Sequence, residues 1–139
     1  MPETLSSAWR KAPPGRELED EIKSLAKPLH DASDLDPLLD AIGDSQYVLL
    51  GEASHGTSEF YSWRAEITRR LITEKNFSFV AVEGDWPDCY TVNRYVKGYS
   101  GHSAKKVLHA FSRWPTWMWA NAEIVELAEW MRSYNAAQA

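Results

Sequence analysis

The sequence predicts an α/β fold, a parallel βαβ unit with several flanking helices, and three observations carry that prediction. Two short apolar runs, Gln46 to Leu50 and Ser78 to Val82, are rich in β-branched and aromatic residues and continuous rather than alternating, as strands are when both faces of a sheet are covered. Between them lies a long segment with apolar residues at helical spacing. Strand, helix and strand thus follow one another in the manner of a right-handed crossover. Each run then hands over to glycine and ionisable residues: Gly51-Glu52-Ala53-Ser54-His55-Gly56 after the first, Glu83-Gly84-Asp85 after the second. Open α/β sheets build their sites at the carboxyl ends of their strands, so Glu52, His55, Glu83 and Asp85 are expected at one edge.

The elements follow in order. Residues 1–16 hold Pro2, Pro13, Pro14 and Gly15 and predict an irregular lead-in, with the domain over residues 17–139. Glu17 to Leu29 spaces Leu18, Ile22, Leu25 and Ala26 as an amphipathic helix that Pro28 should end. Asp34-Leu35-Asp36-Pro37 opens a second, short helix, with an Asp cap and a proline in the first turn, and Gly43 stops it. After the first strand, Thr57 or Ser58 caps a helix reaching Lys75, with Phe60, Trp63, Ile67 and Leu71 on its inner face and Asn76 at its end. Beyond the second strand come a helix over about Pro87 to Val96, a turn at Gly98 to Gly101 and a short helix over 103–111. The Trp-rich Arg113 to Trp119 then leads into a last helix that turns Ile124, Leu127, Ala128 and Met131 inward before fraying over Ser133 to Ala139. Two strands alone leave both sheet edges open and cannot bury their faces. The chain therefore reads as the N-terminal, C-terminally truncated part of a larger domain, its apolar edges covered by a missing C-terminal segment or by self-association.

Bulk composition narrows the function classes. With 139 residues, a net charge of -5 and a sequence pI near 5.3, a general attraction to nucleic acid or to an anionic membrane is not expected. Arg64, Arg69, Arg70 and Lys75 are interleaved with Glu66 and Glu74 and read as a solvated helix face. The single cysteine, Cys89, excludes an internal disulfide and fits a reducing compartment. No apolar signal core or membrane-length run occurs, so a cytoplasmic protein is expected. Seven tryptophans, Trp9, Trp63, Trp86, Trp114, Trp117, Trp119 and Trp130, imply a dense core or surfaces meant to be covered.

Among residues able to carry chemistry, His55 leads. It sits between a strand end and a helix start, three residues after Glu52 and before Gly56. A loop of that kind keeps a side chain accessible, and a neutral imidazole takes a proton from water near physiological pH. Glu52 and Glu83 either orient His55 and hold a water, or cap backbone amides. Arg64 either snorkels from the apolar helix face or reaches back to Glu52 or Glu83. Arg64 and Asp85 are the candidates for substrate contact, Asp85 with the alternative of capping the helix at Trp86-Pro87. Glu52, His55, Glu83 and Asp85 also offer one nitrogen and several oxygens acceptable to zinc or manganese. Their loop spacing does not force convergence and no second His or Cys pair lies near, so no metal and no cofactor is expected. Adjacent Ser54 and His55 do not make a nucleophile pair, and neither a Gly-x-Ser-x-Gly elbow nor a phosphate-binding glycine loop is present. Cys89, His30, His102 and His109 read as packing or surface residues.

Three ordered motifs carry a family resemblance: Leu-Leu-Gly-Glu-Ala-Ser-His-Gly-Thr-Ser-Glu-Phe-Tyr (49–61), Val-Ala-Val-Glu-Gly-Asp-Trp-Pro-Asp (80–88) and Phe-Ser-Arg-Trp-Pro-Thr-Trp-Met-Trp-Ala-Asn-Ala-Glu (111–123). Together with Trp130 to Asn135 they resemble the erythromycin esterase family over roughly residues 34–135. The resemblance implies the N-terminal part of a larger α/β fold with added helices, and hydrolysis of a macrolide lactone, an antibiotic-resistance activity, without a required metal. It implies that His55 is the general base toward water, that Glu52 and Glu83 line the cleft, and that Arg64 falls near a family arginine. It also implies a second essential histidine from a downstream part, and so an inactive chain without it. The expected function is a hydrolase in which His55-activated water attacks an ester or lactone of a small-molecule substrate. The alternatives are a non-catalytic fragment or binding module and a metal-dependent hydrolase.

Overall fold

Local chemistry sets the element boundaries. The computed structural model describes residues 15–113 and 116–138, residue 16 by its backbone alone. The expectations placed on residues 1–14, on Trp114 and on Ala139 therefore lie outside the described residues. The chain divides into two compact units, one ending at Asp36 and one beginning at Pro37.

In the first unit, helix α1 spans Gly15–Leu25. It stops four residues before the predicted end, because proline disfavours the helical region at the residue before it and brings no amide of its own. The last helical bond runs from the Ala26 amide to the Ile22 carbonyl at 2.8 Å. Leu18, Ile22 and Leu25 remain exposed, so the face that periodicity turns inward is not buried. A 3-10 turn, Ala32–Leu35, follows with a reciprocal cap. The Asp31 carboxylate accepts from the Ser33 amide at 2.8 Å, and the Asp34 carboxylate accepts from the amides of His30 and Asp31 at 2.7 and 3.1 Å. The Ser33 hydroxyl and amide hold the Asp31 carboxyl below its ordinary range. Helix α2, Asp36–Ile42, begins at the junction and ends at Gly43, whose φ of 52° suits a residue without Cβ.

The second unit is built from α3 (Ser58–Lys75), α4 (Trp86–Val96), α5 (Ala104–Leu108) and α6 (Ala122–Gln138). Helices α4, α5 and α6 pack against one another, and α3 packs on α6. Their core joins Tyr61, Tyr95, Val96, Val107, Leu108, Phe111, Ile124 and Ala128. The buried stripe of α3 is Tyr61, Ala65, Thr68 and Leu71, of which only Leu71 was predicted, while Phe60 is 40% exposed. The apolar residues of α3 itself, Phe60, Tyr61, Trp63, Ala65, Ile67, Leu71 and Ile72, spread over a broad arc of the helix. Hydrophobicity alone then ranks Phe60, Trp63 and Ile67 above the small Ala65, which is the buried one at 3% exposure. Asn76 closes α3 in the left-handed region at φ 59°, with the Phe77 amide donating to the Leu71 carbonyl.

Helix α6 continues to Gln138 instead of fraying from Ser133. Trp130 and Tyr134 stack one turn apart with ring centroids 5.2 Å apart. Asn135 Nδ2 donates to the Val96 carbonyl at 2.9 Å and Arg132 Nη1 to the Ser100 carbonyl at 2.8 Å, the Arg132 guanidinium lying 4.7 Å from the Tyr95 ring centroid. These bonds satisfy carbonyls at and beyond the end of α4 that no helical amide reaches.

The α/β expectation is corrected by this architecture. Among the described residues there is no strand and no sheet; every regular element is helical. Residues 46–50 and 78–82 are irregular, with no ladder bonds between them, and residues 46–50 line one cavity of about 780 Å³ together with Ser78, Phe79 and Ala81. Tyr47, Leu49 and Phe79 are 76%, 90% and 71% exposed. A parallel pair with no neighbour on either edge lacks the ladder bonds and covered faces that hold a sheet together. The apolar content that suggested buried strands is real, but in this fold it lies on the surface. No helix among the described residues is long and apolar enough to cross a membrane.

If Asn135 holds the end of α6, Asn135→Ala should cost about 1 kcal/mol, as for one lost hydrogen bond. Amide exchange over residues 133–138 should accelerate more than that over Ile124 to Ala128. Uniform acceleration along the helix would contradict this local role.

Candidate active site

The loop 51–56 is tied to the start of α3. Ser54 Oγ and Thr57 Oγ1 are hydrogen-bonded at 2.9 Å, and Thr57 occupies the cap position of α3 without a side-chain cap bond. Gly56 has a φ of 116°, which side chains rarely adopt; a Cβ would find ordinary room beside Trp117, so conformation rather than space requires the glycine. Ser58, the other predicted cap, instead donates its hydroxyl to the Glu123 carboxylate in the first turn of α6.

Within this loop Glu52 is the junction. Its side chain is only 9% exposed, and each oxygen faces a different cation-forming group: Oε1 lies 2.5 Å from His55 Nδ1 and Oε2 lies 3.0 Å from Arg64 Nη1. Arg64 comes from the second turn of α3, its guanidinium carbon 5.1 Å from the ring centroid of Tyr61. His55 is half exposed. A carboxylate accepts hydrogen bonds, so Nδ1 carries the proton of this contact, which in the neutral imidazole leaves the lone pair on Nε2. An imidazole held in that tautomer by an acid is oriented as a base.

The second junction is held by an indole. Trp119 Nε1 donates to the Glu83 carbonyl at 3.0 Å. A Cβ on Gly84 would stand 2.7 Å from Cys89 Sγ and 3.1 Å from Trp119 Nε1, so this close approach needs glycine. Glu52, His55, Arg64 and Glu83 line a single cavity of about 350 Å³, with Thr68, Trp119 and Leu127 among its other walls. Asp85 does not line it. It stands at the cap position of α4 without a cap bond, and its carboxylate pairs at 3.1 Å with Arg113, whose side chain is 80% exposed. Exposed pairs of that kind add little stability. The structure thus brings four of the five predicted site residues together and sets the fifth aside.

Sequence reasoning missed Tyr61, Trp119 and Glu123. Tyr61 is 2% exposed and lies three residues before Arg64 on α3. Burial, and next the charge of Glu52, push its phenol up from the ordinary value, with the Gly56 amide opposing them. The spacing to Arg64 was legible; no local signal linked Trp119 to Glu83 or Glu123 to Ser58 across such separations in sequence. Burial, with Asp88 and Asp85, likewise pushes the Cys89 thiol up, which disfavours the reactive thiolate. Among the described residues no three His, Cys, Asp or Glu side chains converge as a metal site.

Because the folded state raises the Tyr61 pKa, the protonated phenol is the form that folding favours. That contribution is fully present below the ordinary tyrosine value of 10.0 and is lost as pH rises through the raised one. Denaturant titrations from neutral to strongly alkaline pH should therefore show an alkaline loss that is smaller in Tyr61→Phe; identical profiles would contradict the assignment.

Comparison with known proteins places this geometry in context. The erythromycin esterase family model matches residues 72–139, which include Glu83 and Trp119 and begin after Arg64. Erythromycin esterase type II of Escherichia coli is 28% identical over 104 residues, covering 75% of this chain and 23% of that protein. The chain thus spans less than a quarter of the length of the curated relative it matches. No solved structure matches it significantly. Both comparisons agree with the resemblance: the chain is similar to the erythromycin esterases, over residues 72–139 in the family model and over 104 residues in the Escherichia coli protein.

Proposed function

We propose that His55, Glu52 and Arg64 form the water-activating part of an ester or lactone hydrolase. The observation that carries this reading is the two-sided bridge of Glu52, at 2.5 Å to His55 Nδ1 and 3.0 Å to Arg64 Nη1, in a cavity that Glu83 also lines. His55 Nε2 takes a proton from water as the water oxygen bonds to the carbonyl carbon. Glu52 steadies the imidazolium, Arg64 fixes the Glu52 carboxylate, and Glu83 orients the water or the substrate. The carbon–oxygen bond to the leaving group then breaks and His55 returns the proton to the departing alkoxide, giving a carboxylic acid and an alcohol. These steps draw on the chain's own acids and bases. Esterase relatives support a small-molecule ester, and the name of the Escherichia coli relative makes a macrolide lactone the first substrate to try. The exposed Tyr47, Leu49 and Phe79 favour further protein, from a downstream segment or a second copy, as part of the competent site.

Turnover of erythromycin and of a simple aryl ester should be measured for this chain alone and for a chain lengthened downstream. Where turnover occurs, His55→Gln should lower it by about 10²–10⁴-fold, as for a lost general base. Because His55 is half exposed, stability should change little. An undiminished rate in His55→Gln would sink the reading. Loss with a chelator and return with zinc or manganese would replace it with metal-assisted hydrolysis. A folded, assembled protein with no turnover would leave binding as the function.

A further inference from the structure

The buried side-chain oxygen and nitrogen atoms that lack a hydrogen-bond partner among the described residues are Glu52 Oε2, Tyr61 Oη and Arg64 Nη2. All three belong to neighbouring side chains. Arg64 Nη1 is 3.0 Å from Glu52 Oε2, an ion pair without the alignment of a hydrogen bond, and the same guanidinium lies 5.1 Å from the Tyr61 ring centroid. Neither of the other polar groups around the phenol bonds it: the Glu123 carboxylate accepts the Ser58 hydroxyl through Oε1, and the Gly56 amide approaches Tyr61 without completing a bond. Buried polar atoms are nearly always partnered, so a cluster of orphans at one place calls for an explanation.

Counting donors and acceptors supplies it. Arg64 Nη2 can only donate, Glu52 Oε2 accepts, and the Tyr61 hydroxyl has a proton to give. A single atom that satisfies all three must accept two hydrogen bonds and donate one. A carbonyl or carboxylate oxygen leaves Glu52 unsatisfied, and an ammonium leaves Arg64 and Tyr61 unsatisfied; a hydroxyl oxygen fits. We propose that Glu52 Oε2, Arg64 Nη2 and Tyr61 Oη form a subsite for one hydroxyl oxygen, of a water or of a substrate alcohol, on the Glu52 oxygen that His55 does not use. This deepens the hydrolase reading and rests on it for the role of the bound oxygen, though not for its binding. Tyr61, at 2% exposure, keeps its phenol protonated by burial and by the Glu52 charge, which preserves the donor the subsite needs. Tyr61 is accordingly a positioning residue: it fixes the oxygen that Glu52 and Arg64 hold, and transfers no proton itself.

The test needs no turnover. In the full chain, nuclear Overhauser spectra should show a long-lived water in contact with the Tyr61 hydroxyl proton, and that contact should vanish in Tyr61→Phe. Titration with methanol separates the two sources. Displacement of the water at saturation assigns the subsite to an alcohol oxygen, and an unmoved water assigns it to water. A rapidly exchanging hydroxyl with no water contact overturns the proposal. Failure of the hydrolase reading shows instead as absent turnover with the water contact intact.

Discussion

Everything at the candidate site hangs on one buried carboxylate. Glu52 is the point where the loop 51–56 meets α3, one oxygen engaged by His55 and the other by Arg64. A pair desolvated to this degree contributes little net stability, because the cost of taking both charges from water offsets their attraction. Removing Arg64 is another matter, because it strands the Glu52 carboxylate, whereas the half-exposed His55 is lost at little cost to stability. The bridge therefore does more to specify a geometry than to strengthen the fold. What it specifies is an imidazole with a committed Nδ1 and a free Nε2, presented at half exposure to a cavity.

The helical second unit holds that bridge in place through contacts far apart in sequence. Ser58 reaches Glu123 and so joins the first turns of α3 and α6, while Ala65 and Thr68 bury the face of α3 next to Arg64. Trp119 grips the Glu83 carbonyl from beyond α5, and Gly84 leaves room for its indole and for Cys89. Farther along, Arg132 and Asn135 fasten α6 to the end of α4. The site is thus a loop and two junctions positioned by a helical scaffold, a common setting for binding and catalytic residues.

Local chemistry was legible in the sequence, and long-range partnership was not. The Glu-x-x-His spacing marked the site, Arg64 was considered as a cation reaching back to Glu52, and Asn76, Pro28 and Gly43 marked helix ends, because each is a matter of residues within a turn or two. The strand assignments failed for a different reason. Periodicity reports that Tyr47, Val48, Leu49, Leu50 and Phe79 are apolar, not that other strands exist to pair with them, and the exposed positions of Leu49 and Phe79 show the difference. The inner face of α3 was misjudged by about one residue because Tyr61 and Ala65 compete there with larger neighbours. Asp85 was grouped with Glu83 by closeness in sequence, yet its carboxylate turns to Arg113.

The most direct test of the account is the tautomer of His55, read by long-range nitrogen–proton correlation NMR on the folded chain at neutral pH. The Glu52 bridge predicts the Nδ1–H tautomer at His55, with an Nδ1 proton shifted downfield and lost in Glu52→Gln. An Nε2–H tautomer, or a His55 spectrum indistinguishable from that of the exposed His102, would contradict the central claim that Glu52 orients the imidazole as a base.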